Sequence, residues 1–408
     1  MSLIENTISR AFLKRIRHRR AQEQDSNEEQ ANELVRKTAV SIREAEFSDC
    51  ENVDQLNRKL GQGPDSMENW RRLWRDNPAI KDLQAPVRIG WVLEDCGRIV
   101  GFLGSIPLCY ELSGTPVLAA ATCRFAVEPA YRAFSHLLVM AFFRQKEYQL
   151  FIDSSATPAA GKIMAAVKAQ VLPQKDYDTI LFWILNAGRY SAYVLRKLGV
   201  GKYGVTAGAI LGQVVLRFDR YRRNLALPAF ARGCEVKEEK LSSLGMVFEG
   251  FINKIRSEKR GLLGKRTPEI LCWHFEPPQN RRPASVFACY QNREMKGYLI
   301  LRLYEEMREG LRRAVVADLL IEKDDPEVLA ALLRSALQSA KKSGADILEV
   351  AGFPSEIRDS ISSFRPYSRK LPAYPFYFKT REKELQEVLK QEAVWYASSF
   401  DGDSTLWP

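Results

Sequence analysis

The sequence predicts an α/β (α+β) protein of two tandem domains, each a mixed, mostly antiparallel sheet flanked by helices. Three observations predict it. The 408 residues exceed one ordinary hydrophobic core. Strand-like and helix-like segments alternate in the order strand, helix, hairpin, long strand, helix, strand, helix. That order then recurs: Trp74 and Pro78 return 199 residues later as Trp273 and Pro277, and Gly101-Phe102-Leu103 returns 196 residues later as Gly297-Tyr298-Leu299.

The first copy opens with Val40–Arg43 as a strand, and Ser48 or Asp49 then caps a helix whose apolar face is Val53, Leu56 and Leu60. Ile89–Leu93 and Ile99–Ile106 form a hairpin across Glu94–Arg98. A long strand over Val117–Val127 ends at Pro129, residues 134–146 are helical, and Gln149–Asp153 is a short strand. In the second copy the matching helix is Pro326–Ser343 and the matching strand Asp346–Val350. Between the copies, Ala209–Leu216 reads as a strand, followed by a basic run with Arg217, Arg220, Arg222 and Arg223. The expected division is a basic helix and linker (1–38), a first domain (39–215), a linker (216–232), a second domain (233–380) and a C-terminal helix and tail (381–408).

Hydrophobic residues at 46% and charged residues at 27% are globular values, which excludes wholesale disorder. No apolar run reaches the roughly 18–20 residues that span a bilayer, and no apolar segment leads into a small-residue cleavage site. The seven scattered cysteines include no CxxC pair and suit reduced thiols in a cytosolic core. Cys272 and His274 supply only two ligands, so no metal site is expected.

The net charge is +11, and residues 1–20 hold +5 of it, six basic residues against Glu5. Ile4, Ile8, Phe12 and Ile16 recur every four residues there. This predicts a helix lying on an anionic membrane, with the protein cytoplasmic and peripheral at the inner face. A terminal helix packed on the body or on a partner is the alternative. No nucleic-acid-binding motif is present, so an anionic membrane or an anionic substrate is the expected partner. Oligomeric state is left open.

The segment Phe125-Ala126-Val127-Glu128-Pro129-Ala130-Tyr131-Arg132 carries the chemistry. A strand end there offers backbone groups to an extended ligand, and the helix that follows offers its N-terminus to an anion. This string resembles the V-x-P-x-Y-R segment of the GNAT acyltransferases, in which a strand leads into the acyl-CoA pyrophosphate loop. The loop of that superfamily reads Q/R-x-x-G-x-G/A. Here Arg132-Ala133-Phe134-Ser135-His136-Leu137 has Ser135 and Leu137 in place of the glycines. The second copy has Ile321–Pro326, whose three acidic residues repel phosphate, so the cofactor is expected in the first domain. The chain is closest in character to the tandem GNAT-like proteins of bacterial capsule and exopolysaccharide biosynthesis, through Tyr131-Arg132-Ala133-Phe134-Ser135.

The resemblance implies an N- or O-acyltransferase that uses acetyl-CoA or another acyl-CoA. Its acceptor would be an amine or hydroxyl of a sugar or other polar small molecule. Two alternatives stay open: a catalytically silent binding or scaffold protein, and an aminoacyl transferase with a different activated donor. The implied donor residues are Phe125, Ala126, Val127, Arg132, Ala133, Phe134 and Ser135, with Arg132 on phosphate.

Asp153, ending its strand, is the candidate base, and a turn aspartate before Ser154-Ser155 is the alternative. Tyr131 is the candidate acid, or else an aromatic wedge. His136 is read as a surface histidine at a helix start rather than a catalytic one. Asp401-Gly402-Asp403 reads as a turn rather than a metal-binding D-x-D, and Trp70, Trp74 and Trp183 as core rather than a sugar platform.

Overall fold

A computed structural model describes residues 40–83, 85–222, 233–276, 284–306 and 310–407. The helix expected over residues 1–20, the linker after it, residues 223–232 and Pro277 lie outside the described residues.

The chain begins with β1 (Val40–Glu44), α1 (Cys50–Lys59) and α2 (Met67–Trp74). Next come β2 (Gly90–Asp95), β3 (Arg98–Leu112), β4 (Thr115–Val127), α3 (Ser135–Phe143) and β5 (Leu150–Asp153). Both hairpins use two residues at positive φ, Cys96-Gly97 and Ser113-Gly114, whose twist matches that of paired strands. α4 (Pro158–Ala166), β6 (Gln170–Val171), β7 (Thr179–Ile184), α5 (Ala187–Lys197) and α6 (Lys202–Arg222) follow.

The second half runs β8 (Glu235–Glu239), α7 (Met246–Ser257), β9 (Leu262–Gly264), α8 (Pro268–Phe275), β10 (Ser285–Gln291), β11 (Glu294–Glu306) and β12 (Leu311–Ile321). It continues with α9 (Pro326–Lys342), β13 (Ile347–Val350), α10 (Ser355–Ser362), β14 (Tyr367–Lys370), β15 (Tyr377–Thr380) and α11 (Lys383–Val388). α4, α8 and α9 begin alike, with Thr157, Thr267 or Asp325 accepting from a first-turn amide and proline in the next position.

One expectation fails. Ala209–Leu216 is not a strand but the middle of α6. Its β-branched residues suggest a strand, yet Gly208 and Gly212 let the helix sit directly on α5: a Cβ at Gly208 would lie 2.5 Å from Leu195, and one at Gly212 2.1 Å from Ser191 Oγ. Close helix packing overrides β propensity here.

Among the described residues the chain divides into two compact units, one within residues 40–70, 88–105 and 123–145, the other within residues 71–87, 106–122 and 146–407. In the first unit β1 pairs antiparallel with β2, and β2 with the start of β3. Trp70 is fully buried there and stacks on Phe102 at 5.8 Å. Arg124 takes φ +51° within β4, a left-handed residue that bends the strand.

In the second unit the start of β4 runs parallel to β5, with Ala119, Ala120 and Ala121 opposite Leu150, Phe151 and Ile152. β15 pairs antiparallel with β5, and β6 with β15. A separate seven-stranded sheet has the order β14-β7-β13-β12-β11-β10-β8, with β12 and β13 parallel. Two strands are thus exchanged: β7, early in sequence, completes the later sheet, while β15, late in sequence, lies against β5. α7 and α9 bury Phe248, Phe251, Leu329 and Leu333 against this sheet beside Tyr298. Trp74 and Trp183 are buried as well, so all three tryptophans weighed as a sugar platform are interior.

Candidate active site

The expected donor segment lies in the first unit. Pro129 fixes the backbone for a tight 3-10 turn, Pro129–Phe134, which runs directly into α3. Every residue from 130 to 135 carries a Cβ and the chain stays right-handed, so Ser135 N–H donates to Arg132 O instead of turning outward. The phosphate-cradling backbone that glycines allow is therefore closed at this point.

Arg132 is exposed, and among the described residues nothing pairs with its guanidinium. Ala133 is exposed, Phe134 half-buried and Ser135 buried. His136 donates from Nδ1 to Ala133 O at 2.9 Å, because a carbonyl only accepts. Phe125 O accepts from Gln62 Nε2 at 3.0 Å, while Ala126 is buried and Val127 half-buried.

Tyr131 is buried and donates to Asp95 Oδ2 at 2.6 Å. Arg98 donates to the Tyr131 oxygen at 3.3 Å, lies over the ring at 5.7 Å and pairs with Glu128 at 2.7 Å. The bond to Asp95, then burial, pushes the phenol above its usual range. This arrangement ties the turn after β4 to the β2–β3 hairpin and commits the Tyr131 proton to Asp95.

Asp153 belongs to the second unit and is fully buried one residue beyond the last β4–β5 pair. Its carboxyl bonds the Thr122 hydroxyl and accepts from Ser155 N–H at 3.3 Å. Burial, and then the neighbouring Asp403, push it up to about 7. A carboxyl at that value holds and releases a proton near neutrality.

The tail supplies what the sequence does not reveal. Asp401-Gly402-Asp403 is a turn, as expected, but a buried one. Ser154 Oγ donates to Asp403 Oδ1 at 3.2 Å and lies 3.4 Å from Ser404 Oγ. Gly402 sits at φ +73° with its missing Cβ only 2.0 Å from Ser154 Oγ, so no other residue fits. Tyr110 bonds Asp401, which burial pushes up to about 6 despite Arg266 nearby.

A buried network anchors this tail. Arg266 grips Asp318 through Nε at 3.0 Å and Nη2 at 3.0 Å, and Tyr298 donates to Asp318 at 2.6 Å. The Arg266 guanidinium also lies 4.3 Å from the Phe400 ring centre. His274 stacks on Phe400 at 4.3 Å and bonds Thr405 at 3.1 Å. Burial, then the charges of Arg72, Arg266 and Arg302, hold His274 neutral.

Beside the tail the second unit has a cavity of about 470 Å3 on one face of the seven-stranded sheet. Ser399, Ser404 and Thr405 line it from the tail, and Tyr304, Arg313 and Glu349 from the sheet. Glu349 is buried between Arg313 at 2.8 Å and Arg369 at 2.8 Å, so this trio carries one net positive charge.

No family model matches the sequence, and no curated protein matches it. Solved structures do match in fold. The chain is similar to a GCN5-related N-acetyltransferase from Anabaena variabilis, with TM-score 0.52 and 9% identity, covering 84% of this chain and 72% of that one. It is similar to a probable N-acyltransferase from Enterococcus faecalis, with TM-score 0.52 and 10% identity over the same shares. It is also similar to N-myristoyltransferase of Saccharomyces cerevisiae with bound myristoyl-CoA, with TM-score 0.50 and 12% identity, covering 83% and 82%. At these identities the likeness is one of fold, and the expected α/β architecture of two mixed sheets flanked by helices is the one observed.

Proposed function

We propose that this chain, which has the GCN5-related N-acetyltransferase fold over most of its length, is an acyl-CoA-dependent acyltransferase. The observation that carries the reading is Asp153, a buried carboxyl near neutrality at the point where β5 parts from β4. Fold alone does not specify chemistry, and this residue supplies it. Bound acyl-CoA offers a thioester carbonyl for attack by an acceptor amine or hydroxyl.

Asp153 takes the proton that the acceptor loses as the new bond forms and the C–S bond breaks; the departing thiolate is protonated from solvent. Arg132 places one charge on the donor phosphates, and acetyl-CoA is the first donor to test. The residues fit a pyrophosphate through this guanidinium rather than through loop amides. The hydroxyl-lined cavity with its positive trio suits a sugar or similarly polar acceptor, such as a precursor of a surface polysaccharide.

Calorimetric titration with acetyl-CoA and with free CoA tests the donor. Roughly micromolar binding is expected, weakened roughly 10–100-fold in Arg132→Glu by loss of a charged hydrogen bond. Full affinity in that variant removes Arg132 from the site. The closed 3-10 turn favours a second reading, a silent binding protein, which heatless titrations with both ligands would support. A further expectation concerns the tail. Gly402→Ala forces Asp403 away from Ser154 and lowers kcat by about 10²-fold, while circular dichroism stays unchanged.

A further inference from the structure

We propose that the α5–α6 hairpin docks this protein on an anionic lipid surface. The hairpin belongs wholly to the second unit, and its two helices meet through Gly188, Gly208 and Gly212. Glycines at the contact fix which way α6 faces: Val205 and the glycine side turn inward, and the opposite side turns out. That outer side is apolar. Ile210, Leu211 and Val214 are 63%, 67% and 64% exposed, with Tyr203 and Val215 beside them. At helical spacing these five fall on one stripe, and no charged residue occurs between Lys202 and Arg217.

An exposed apolar stripe needs a partner, and the charge pattern names its kind. Residues 187–222 hold seven Lys and Arg against Asp219 alone, a net +6. Residues 1–20 hold +5 of the chain's +11, so everything outside these two segments sums to zero. The body of the protein is electrically balanced in sequence, and one of its two cationic segments contains the exposed apolar stripe of α6. A basic amphipathic helix with a wide apolar stripe is the chemistry of an anionic bilayer interface. Crossing the bilayer is a different matter: among the described residues no helix is long and apolar enough.

Co-sedimentation of the full chain with vesicles tests this, using phosphatidylcholine alone and phosphatidylcholine mixed with phosphatidylglycerol. Binding is expected to the anionic vesicles only, and to weaken with added salt. The double variant Leu211→Glu/Val215→Glu should lose at least tenfold in apparent affinity, and the milder Ile210→Ser/Val214→Ser several-fold. Both change exposed positions, so near-UV circular dichroism should match the parent. Unchanged vesicle binding in both variants would assign any lipid contact to residues 1–20 and overturn the proposal. A parent that ignores vesicles but sediments as a dimer, becoming monomeric in the variants, would overturn it in favour of a second copy of the chain.

Discussion

Replacing Asp153 with asparagine is expected to lower kcat by about 10²–10⁴-fold, the range over which a positioned general base acts. Parent activity should rise with pH and level off above about 7, where Asp153 is ionised, while residual activity of Asp153→Asn should be flat across that range. Steady-state rates with saturating donor measure both. Stability should move the opposite way. Asp153 keeps its proton in the folded chain up to about 7 but releases it near 3.8 in the unfolded chain, so stability falls as pH rises between these values. Asp401, raised to about 6 by burial, adds a loss of the same sign. Asp153→Asn should therefore show a shallower fall of melting temperature between about pH 4 and pH 7. A variant equal to the parent in activity would remove Asp153 as the base.

The largest effect on stability is expected from Asp318→Ala. Its carboxylate lies at the centre of a buried set, held by Arg266 and Tyr298, and neither charged side chain has more than 1% of its surface exposed. Breaking such a pair leaves a guanidinium buried without its counter-charge, which costs about 3–5 kcal/mol. Whole domains are stable by only about 5–15 kcal/mol. Urea denaturation should show the midpoint falling with the slope unchanged. Replacing both partners together, Arg266→Met with Asp318→Leu, should recover much of the loss, since no lone charge then stays buried. If the single variant unfolds at the parental midpoint, the network has no part in holding the tail.

Parts of this molecule governed by short-range patterns were legible in the sequence. The hairpin turn Cys96-Gly97, the long strand ending at Pro129 and the helix from Pro326 need only local rules, and each appears within a few residues of its expected place. The repeat was legible because Phe102 and Tyr298 both fill the core from the middle position of a matched triplet. Asp153 stood out as a carboxylate ending an apolar strand. Its surroundings did not, because Ser154 meets Asp403 across 249 residues of sequence. Asp401 and Asp403 look like a solvated turn until Trp395, Tyr396 and Phe400 around them are weighed as a tail too apolar for water. α6 misleads for a different reason: both its sides are apolar, one for α5 and one facing outward, so no helical period shows.

The exchanged strands set the order in which a growing chain can become competent. When residue 215 has left the ribosome, β5 is complete, but the edge that β15 will take is bare and Asp153 has no Asp403 beside it. β7, the apolar run Thr-Ile-Leu-Phe-Trp-Ile, must then wait for β13 more than 150 residues downstream. Waiting apolar edges are targets for holding chaperones and for aggregation. A translation product interrupted anywhere before residue 377 therefore carries two unfinished sheets and no assembled acid cluster. Such a product is a substrate for quality control.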